Sequence, residues 1–526
     1  MSITSLLFLA FVAVVVGLYF IAPKKIRWVV LLLASIAFYV LYDVKLTIWL
    51  YISAASIYLG ALWIEKQEQK FKQTVETRTD IDRAEKKQLK KKNAHIKSVY
   101  ATLIAIFNLA IWLTFKFTDM VILKWNQVFS TSFDVLHLAL PLGISFYTLQ
   151  AISYVVDVSR GKCEAQKNFL KLTLWLSFFP QMIQGPICRY NDTAEQLYTP
   201  HSFDYRRVKL GAQLMLWGYF KKLVIADRVG QISMEVFGNS GKYSGIIYVI
   251  GALAYTFQIY GDFSGGMDII CGVSEMLGIY LPKNFERPYF SRNIAEYWRR
   301  WHITLGTWFK DYIFYPLSIS KAAQALSKRT RKWFGPKLGK MIPTYIAMII
   351  VWTMNGIWHG SGKQFAVYGF YQGFLIILGM QTEPFTTKLL QKFKVNTECF
   401  SWKLWQTVRT FALVVWGRIL FKAVNLHEAF RIWVDVFKTH NPWVLTDGTL
   451  FTLGLDAHEM FILFLALMVL LVVSILQEKG IRLRESLERQ NLVFRWLIYL
   501  TAIFAIILLG AYGEGYNAAD FIYANF

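Results

Sequence analysis

The chain has 526 residues, of which 55% are hydrophobic and 17% are charged, and it contains 41 Phe, 28 Tyr and 19 Trp residues. This composition excludes a disordered chain, a small disulfide-rich protein and a coiled coil, and a mean hydropathy of +0.36 requires more apolar burial than one soluble core provides. The net charge of +23 arises from basic residues that collect between apolar runs, so anionic lipid headgroups suit them as counter-charges and nucleic acid is not expected as a partner.

The first apolar run, residues 3–21, predicts a retained membrane helix with the N-terminus outside. It has no basic segment before it and no convincing cleavage site, whereas Lys24, Lys25 and Arg27 follow it. Residues 28–42 and 46–64 predict two more helices, each near the roughly 20 residues needed to cross a bilayer.

A hydrophilic insert over residues 65–97 follows these three helices. It contains eleven Lys or Arg residues and six acidic ones, and short basic loops stay in the cytoplasm. We therefore expect a cytoplasmic insert, which agrees with an outer N-terminus and three crossings. We interpret the insert itself as a solvated helical hairpin without chemistry.

Further apolar runs predict the rest of the membrane part, and several are short or broken by Pro and Gly. Such interrupted segments are tolerated at membrane depth only where they are buried in protein or line a cavity. We expect about 11 to 14 crossings, some of them re-entrant or lying flat. The runs cover residues 99–117, 138–156, 169–187, 211–226, 248–260, 269–281, 342–358, 365–380, 405–421, 459–476 and 496–510.

Two later basic stretches complete the predicted orientation. Residues 321–340 contain seven Lys or Arg residues and no acid, and residues 479–495 contain five basic residues. Both are expected in the cytoplasm, so the last helix would run outward and place residues 513–526 outside. No internal repeat is visible in the sequence, which disfavours an inverted-repeat transporter.

The segment over residues 284–317 is rich in Trp and Arg. From Ser291 its apolar residues recur at steps of three and four, which predicts one amphipathic helix. Such a helix fits the membrane interface, and its simplest role is that of an anchor. The apolar stripe consists of Ile294, Tyr297, Trp298, Trp301, Leu305, Trp308, Phe309 and Tyr312.

Two of the eight histidines differ from those in hydrophilic loops. His302 adjoins the aromatic stripe, and His359 ends the apolar run WTMNGIWHGSG. An ionisable residue at membrane depth is a functional candidate, although a neutral His359 bonded to a backbone carbonyl at a helix end is the alternative. No second ligand lies at helical spacing, so a metal site is not expected, and a general base suits histidine better.

The stretch over residues 258–268 places Asp262 and Asp268 among glycines. Glycine lets the backbone approach a ligand closely, whereas a tight turn with two solvated carboxylates is the alternative. The phosphate-loop and nucleophile-elbow motifs are both missing from the sequence. The cysteines form no C-x-x-C pair, so they are interpreted as core residues; they are Cys163, Cys188, Cys271 and Cys399.

Five segments together resemble membrane-bound O-acyltransferases, and most closely the bacterial branch that acetylates alginate and peptidoglycan. They cover residues 141–158, 178–190, 258–268, 284–317 and 352–360. The resemblance extends over most of the chain. It implies an all-α polytopic fold, with a ring of transmembrane helices around a thinned centre and amphipathic helices at the interface. In that fold a funnel from each side meets at the catalytic histidine.

By the same resemblance, His359 matches the catalytic histidine of the family, and His302 matches its second active-site polar position. Arg299 and Arg300 are expected to pair with the phosphates of the donor. The remaining residues expected to bind substrate are Asp262, Asn355 and Trp358.

The tail over residues 521–526 resembles the F-x-Y-x-x-F ending of proteins in these export pathways. Tyr523 would match the tyrosine that holds the acyl group outside, and a phenol ester is a good acyl donor. An aromatic tail docked at the interface is the alternative. The chain also departs from the family pattern at Gly261, where an aromatic residue is frequent, and at Gly266 and Met267, which leaves the acceptor polymer open.

The expected activity is transfer of acetyl from a cytoplasmic donor, acetyl-CoA, across the membrane for O-acetylation of an extracytoplasmic polysaccharide. We accordingly expect a location in the bacterial inner membrane, a separate extracytoplasmic acetyltransferase as partner, and no bound cofactor. The alternatives are a transporter or flippase of an acyl carrier or glycolipid, and a scaffold for a polysaccharide synthase. The predicted parts are N-terminal helices over residues 1–64, the insert 65–98, a catalytic core 99–380 and C-terminal helices with the tail 381–526.

Overall fold

The computed structural model describes residues 2–78, 82–182 and 184–511, and almost all of its regular structure is helical. Within these residues no β-strand is present, and one antiparallel bridge joins Phe285 to Trp301. The prediction of an all-α protein is therefore confirmed. Side chains at the first residue before a helix cap several of them, as Ser5 does for the first helix and Asp82 for the fourth.

The helices before residue 200 are numbered α1 to α7. They are α1 Leu6–Ile21, α2 Arg27–Val40, α3 Thr47–Thr77, α4 Arg83–Phe129, α5 Ile144–Ser159, α6 Phe169–Ser177 and α7 Tyr190–Tyr198. The short α6 matches the interrupted run predicted over residues 169–187, because Pro180 follows it in a single 3₁₀ turn.

The later helices are numbered α8 to α20. They are α8 Tyr205–Tyr219, α9 Asp227–Gly238, α10 Ile246–Leu277, α11 Ile294–Arg300, α12 Ile303–Phe309, α13 Tyr315–Ser318, α14 Lys321–His359, α15 Lys363–Lys392, α16 Phe400–Lys422, α17 Leu426–Lys438, α18 Ala457–Glu478, α19 Leu483–Glu488 and α20 Leu492–Leu509. Segments of π-helix, Phe220–Ala226 and Lys310–Phe314, connect α8 to α9 and α12 to α13.

Six of the described helices are long and apolar enough to cross a membrane: α3, α4, α10, α14, α18 and α20. Only 6% of the apolar window of α20 is buried within the protein, against 67% for α10. Exposed apolar surface of this extent favours a lipid environment over water. The number of crossings stays a prediction, since several expected segments are shorter or more polar than this.

The described residues form two compact units. The first comprises the residues up to Met215 together with Ile270–Pro282, and the second comprises Leu216–Ile269 together with the residues from Lys283 onward. Fully buried aromatic residues fill the core of the first unit, among them Tyr147, Tyr154 and Trp175. In the second unit, apolar residues of α9, α10, α16, α17 and α18 form a core cluster that includes Val236, Tyr248, Ile419, Ile432 and Leu463.

Two predicted boundaries are wrong. The runs over residues 248–260 and 269–281, which suggested a turn between two helices, are parts of the single helix α10. The amphipathic helix expected from Ser291 onward instead ends at Arg300, and a new helix begins at Ile303. Both differences shape the site described next.

Candidate active site

His302 lies in a break between α11 and α12, where the backbone has a φ of 45°. This left-handed conformation is uncommon for a residue other than glycine. Asn284 holds the break in place, because its backbone carbonyl accepts from Ile303 N at 3.0 Å and its side-chain oxygen accepts from Thr304 N at 3.0 Å. The break ends the expected helix and turns the histidine into the protein, where it is 2% exposed.

Asn284 also determines which nitrogen of His302 carries the proton. Asn284 Oδ1 accepts from the backbone N–H and the hydroxyl of Thr304, so it is the oxygen of the amide that faces this side. His302 Nδ1 lies 3.2 Å from the same oxygen and must therefore donate to it. Burial lowers the pKa of His302 to about 3. The ring is thus neutral at pH 7, with its lone pair on Nε2.

His359 is the last residue of α14 and is buried in the second unit. The ring of the preceding Trp358 lies 4.9 Å from the His359 ring and 6.0 Å from the His302 ring, measured between centroids. The Phe421 ring lies 5.3 Å from the His359 ring in an edge-to-face arrangement. The two histidines that the sequence singled out, 57 positions apart in the chain, therefore contact the same tryptophan.

A close crossing of α14 and α15 fixes the end of the helix that carries His359. A Cβ atom at Gly356 would lie 2.0 Å from Phe365 O, and one at Gly369 would lie 2.1 Å from Trp352 O. Only glycine permits this approach of the two backbones. Asn355 is buried one turn before His359 on the same face of α14. Its expected contact with substrate, like that of Trp358, stays a prediction.

Asp262 lies inside α10 and takes part in a buried ion-pair network. Lys222 Nζ lies 2.6 Å from Asp262 Oδ1 and 2.8 Å from Asp227 Oδ1, while Lys221 Nζ lies 2.8 Å from Asp268 Oδ2. A buried lysine needs such carboxylate partners to remain charged. The carboxylates expected in a turn are thus charge partners within a helix, and a substrate contact of Asp262 stays a prediction.

The departure from the family pattern at Gly261 has a steric cause. A Cβ atom there would lie 2.9 Å from Lys221 O and 3.0 Å from Ala226 Cβ. An aromatic side chain would therefore require the π-helical segment around Lys221 to move away from α10. The glycine and the buried lysine pair belong to one packing arrangement.

Arg299 and Arg300 have different surroundings. Arg299 is exposed, whereas Arg300 pairs with Glu296 at 2.7 Å and with Glu478 at 3.0 Å. Arg287 pairs with the same Glu478 at 2.5 Å. Arg299 is consequently the more accessible of the two for an anionic ligand, and binding of a phosphate by Arg300 would compete with two carboxylates.

Two site residues were missed in the sequence. Asn284 gave no signal, because only the break at His302 brings it to the imidazole. Arg418, a buried residue that donates to Tyr297 Oη and Tyr368 Oη near the histidines, did give a signal, because it is a charged residue inside the predicted apolar run over residues 405–421. Tyr523 lies outside the described residues, and its role stays a prediction.

Within the part of the chain that the structure describes, no group of three His, Cys, Asp or Glu side chains is arranged to hold a metal ion.

Comparison with known proteins supports the same family. Residues 165–330 match the model of the MBOAT, membrane-bound O-acyltransferase family. The chain is 30% identical over 483 residues to a probable alginate O-acetylase AlgI of Azotobacter vinelandii, covering 89% of this chain and 83% of that one. It is 29% identical over 454 residues to the probable alginate O-acetylase AlgI of Pseudomonas syringae, covering 83% and 75%.

A peptidoglycan O-acetyltransferase of Helicobacter pylori is 30% identical over 363 residues, which covers 64% of each chain. The predicted resemblance to this branch is thereby confirmed. Together with the six long apolar helices, the comparisons establish a multi-pass membrane enzyme. The chain belongs to the membrane-bound O-acyltransferase family, in the branch that contains the alginate and peptidoglycan O-acetylating proteins.

Proposed function

We propose that this O-acyltransferase takes acetyl from acetyl-CoA at the cytoplasmic face and passes it across the membrane for O-acetylation of an extracytoplasmic polysaccharide. The observation that carries the proposal is the buried pair of histidines in contact with Trp358. The names of the relatives, which refer to alginate and peptidoglycan, support a polysaccharide as the final acceptor. The bacterial inner membrane is the proposed location.

In the proposed reaction, His359 acts as general base. Its imidazole removes the proton from an acceptor hydroxyl while that oxygen attacks the carbonyl carbon of the thioester. The carbon–sulfur bond then breaks, and the CoA thiolate leaves and takes the proton from His359. The products are an acetyl ester and CoA with a free thiol, so the base returns to its starting state. Histidine suits this cycle because its unperturbed pKa is about 6.5.

His302 is proposed to position the reacting groups rather than to take the proton. The Asn284 contact leaves a lone pair on Nε2, which accepts a hydrogen bond from a hydroxyl at the site. At the cytoplasmic face, the exposed Arg299 binds a phosphate of the donor, and Arg300 contributes when the phosphate displaces Glu478. No resident cofactor takes part in this scheme.

The first acceptor is proposed to be the phenol of Tyr523 in the C-terminal tail. The resulting phenol ester holds the acetyl group outside, where a separate extracytoplasmic acetyltransferase moves it to the polymer. A phenolate is a better leaving group than a sugar alkoxide, so the second transfer is favourable.

The proposal is tested with purified protein and acetyl-labelled acetyl-CoA, by following CoA release and by mass spectrometry of the C-terminal peptide. Wild type is compared with His359→Ala and Tyr523→Phe, and His427→Ala replaces an exposed histidine as the matched control. We expect His359→Ala to lower CoA release by about 100-fold or more, the usual contribution of a general base. His427→Ala should behave like the wild type.

Label on Tyr523 that depends on His359 would support both the base and the relay. CoA release that continues in Tyr523→Phe, with no label on the wild-type tail, would exclude the tyrosine step. Undiminished release in a folded His359→Ala protein would exclude the general base. No release by wild type even with polysaccharide and partner present would exclude acetyl-CoA as the donor.

A further inference from the structure

Arg418 on α16 is a buried arginine in the second unit that the proposed reaction does not use. Its side chain is 1% exposed, and its guanidinium donates to Tyr297 Oη at 2.8 Å and to Tyr368 Oη at 3.2 Å. The guanidinium carbon also lies 4.8 Å from the centroid of the Trp301 ring. Arginine keeps its charge in proteins, and burial of a charge is costly, so this arrangement requires an explanation.

The contacts of Arg418 lie beside both site histidines. Tyr297 and Trp301 come from α11 and its end, and Trp301 directly precedes His302. On the other side, the guanidinium lies 5.9 Å from the centroid of Phe421, a residue of α16 itself, and the Phe421 ring lies 5.3 Å from the His359 ring. One planar group thus touches the neighbours of both histidines.

We infer that Arg418 is a positioning residue, which sets the placement of His302 and His359 relative to each other through Trp301 and Phe421. The inference rests on the proposed role of His359 as general base. Proton transfer needs reacting atoms within hydrogen-bond reach, and a displacement of about 1 Å can cost about 100-fold in rate. A rigid connection between the neighbours of the two histidines therefore has a catalytic effect without any contact with substrate.

The planar shape of guanidinium is essential to this role. It lies over the Trp301 ring while its fork donates to two phenols held by different helices, α11 and α15. An ammonium group on a flexible chain retains the positive charge but neither stacks nor presents a fixed fork. The substitution Arg418→Lys therefore tests whether activity requires the planar geometry of guanidinium or only its positive charge.

The test measures kcat and KM for acetyl-CoA in Arg418→Lys, per amount of folded protein. We expect kcat to fall by up to about 100-fold, with KM for the donor changed by less than about twofold. Tyr297→Phe and Tyr368→Phe each remove one hydrogen bond and should lower kcat less. Arg409→Lys is the matched control, because Arg409 lies on the same helix and donates to Arg292 O at 3.0 Å; it should retain wild-type kcat.

The double variant Arg418→Lys with His359→Ala provides the second readout. Because Arg418 acts through His359, its substitution should cost nothing further once the base is removed. Wild-type kcat in Arg418→Lys would overturn the inference, as would a change in KM alone or a full additional loss in the double variant. Undiminished acetyl transfer in a folded His359→Ala protein would instead refute the proposed general base, so the two failures are distinguishable.

Discussion

At the scale of single residues, Asn284 sets both the tautomer of His302 and the turn that buries it. Replacement by Ala removes an acceptor shared by His302 Nδ1, Thr304 N and Thr304 Oγ1. A buried donor left without a partner costs about 1–3 kcal/mol, so we expect Asn284→Ala to lower both the unfolding temperature and acetyl transfer. Asn284→Asp keeps an acceptor for Thr304, so it should be more stable than Asn284→Ala. Its acetyl transfer should recover less, because the negative charge favours a protonated His302.

Thermal unfolding in detergent and CoA release by the same samples check this prediction. Asn293→Ala is the control, since Asn293 caps α11 from an exposed position and its loss should cost only about 1 kcal/mol. Equal stability and activity of Asn284→Ala and wild type would show that the amide does not hold the imidazole.

Sequence patterns located the two histidines but could not supply their surroundings. His359 was recognisable because an ionisable side chain at the end of an apolar run is rare. Asn284 lies 18 positions before His302, and no helical or strand period connects them. Their contact depends on the backbone of Trp301 pairing with Phe285, which is a tertiary feature.

At the scale of elements, the crossing of α14 and α15 carries His359. Gly356→Ala places a methyl group 2.0 Å from Phe365 O, so the helices must separate. Overpacking of this kind costs about 1–3 kcal/mol, and the separation also displaces His359. We expect Gly356→Ala to unfold at a lower temperature and to lose most acetyl transfer. Gly379→Ala on α15 is the matched control, because a Cβ there meets nothing within 4 Å.

Gly379→Ala is expected to raise the stability of the protein, whereas Gly356→Ala lowers it. Alanine favours an open helical position over glycine by about 0.5–1 kcal/mol, so stability should rise slightly and activity should not change. Thermal unfolding and initial rates of CoA release measure both effects. Wild-type rates in Gly356→Ala would mean that the close crossing does not set the position of His359.

Helix boundaries could be predicted where an apolar run gives way to polar residues. Where the sequence shows no such change, the predicted boundaries were wrong. Hydropathy located the apolar parts of the long helices and gave the approximate ends of α18 and α20, whereas α3, α4 and α14 continue well beyond their apolar runs. The glycines of residues 258–268 suggested a turn, yet α10 continues through them because Gly261 and Gly265 make room for the backbone near Lys221. A glycine required for close packing and a glycine required for a turn look alike in one sequence.

At the scale of the whole molecule, the distribution of basic residues predicts the membrane orientation. The helical hairpin formed by the end of α3 and the start of α4 carries most of the Lys residues of the first hundred positions. The two further basic stretches are residues 321–340 and 479–495. By the positive-inside rule these three parts are expected to face the cytoplasm, and the loop after α4 is expected to face outward. Each part offers an exposed position for labelling.

Single cysteines introduced into a chain whose four native cysteines are replaced by serine test this orientation. Intact bacterial cells are treated with a membrane-impermeant maleimide, and lysed cells serve as the control for reactivity. We expect Thr131→Cys in the loop after α4 to react in intact cells, whereas Lys91→Cys, Lys332→Cys and Arg489→Cys should react only after lysis, since all four positions are exposed in the structure. Labelling of Lys91→Cys from outside would reverse the predicted orientation. The proposed direction of acetyl transfer, from the cytoplasm outward, would then fail.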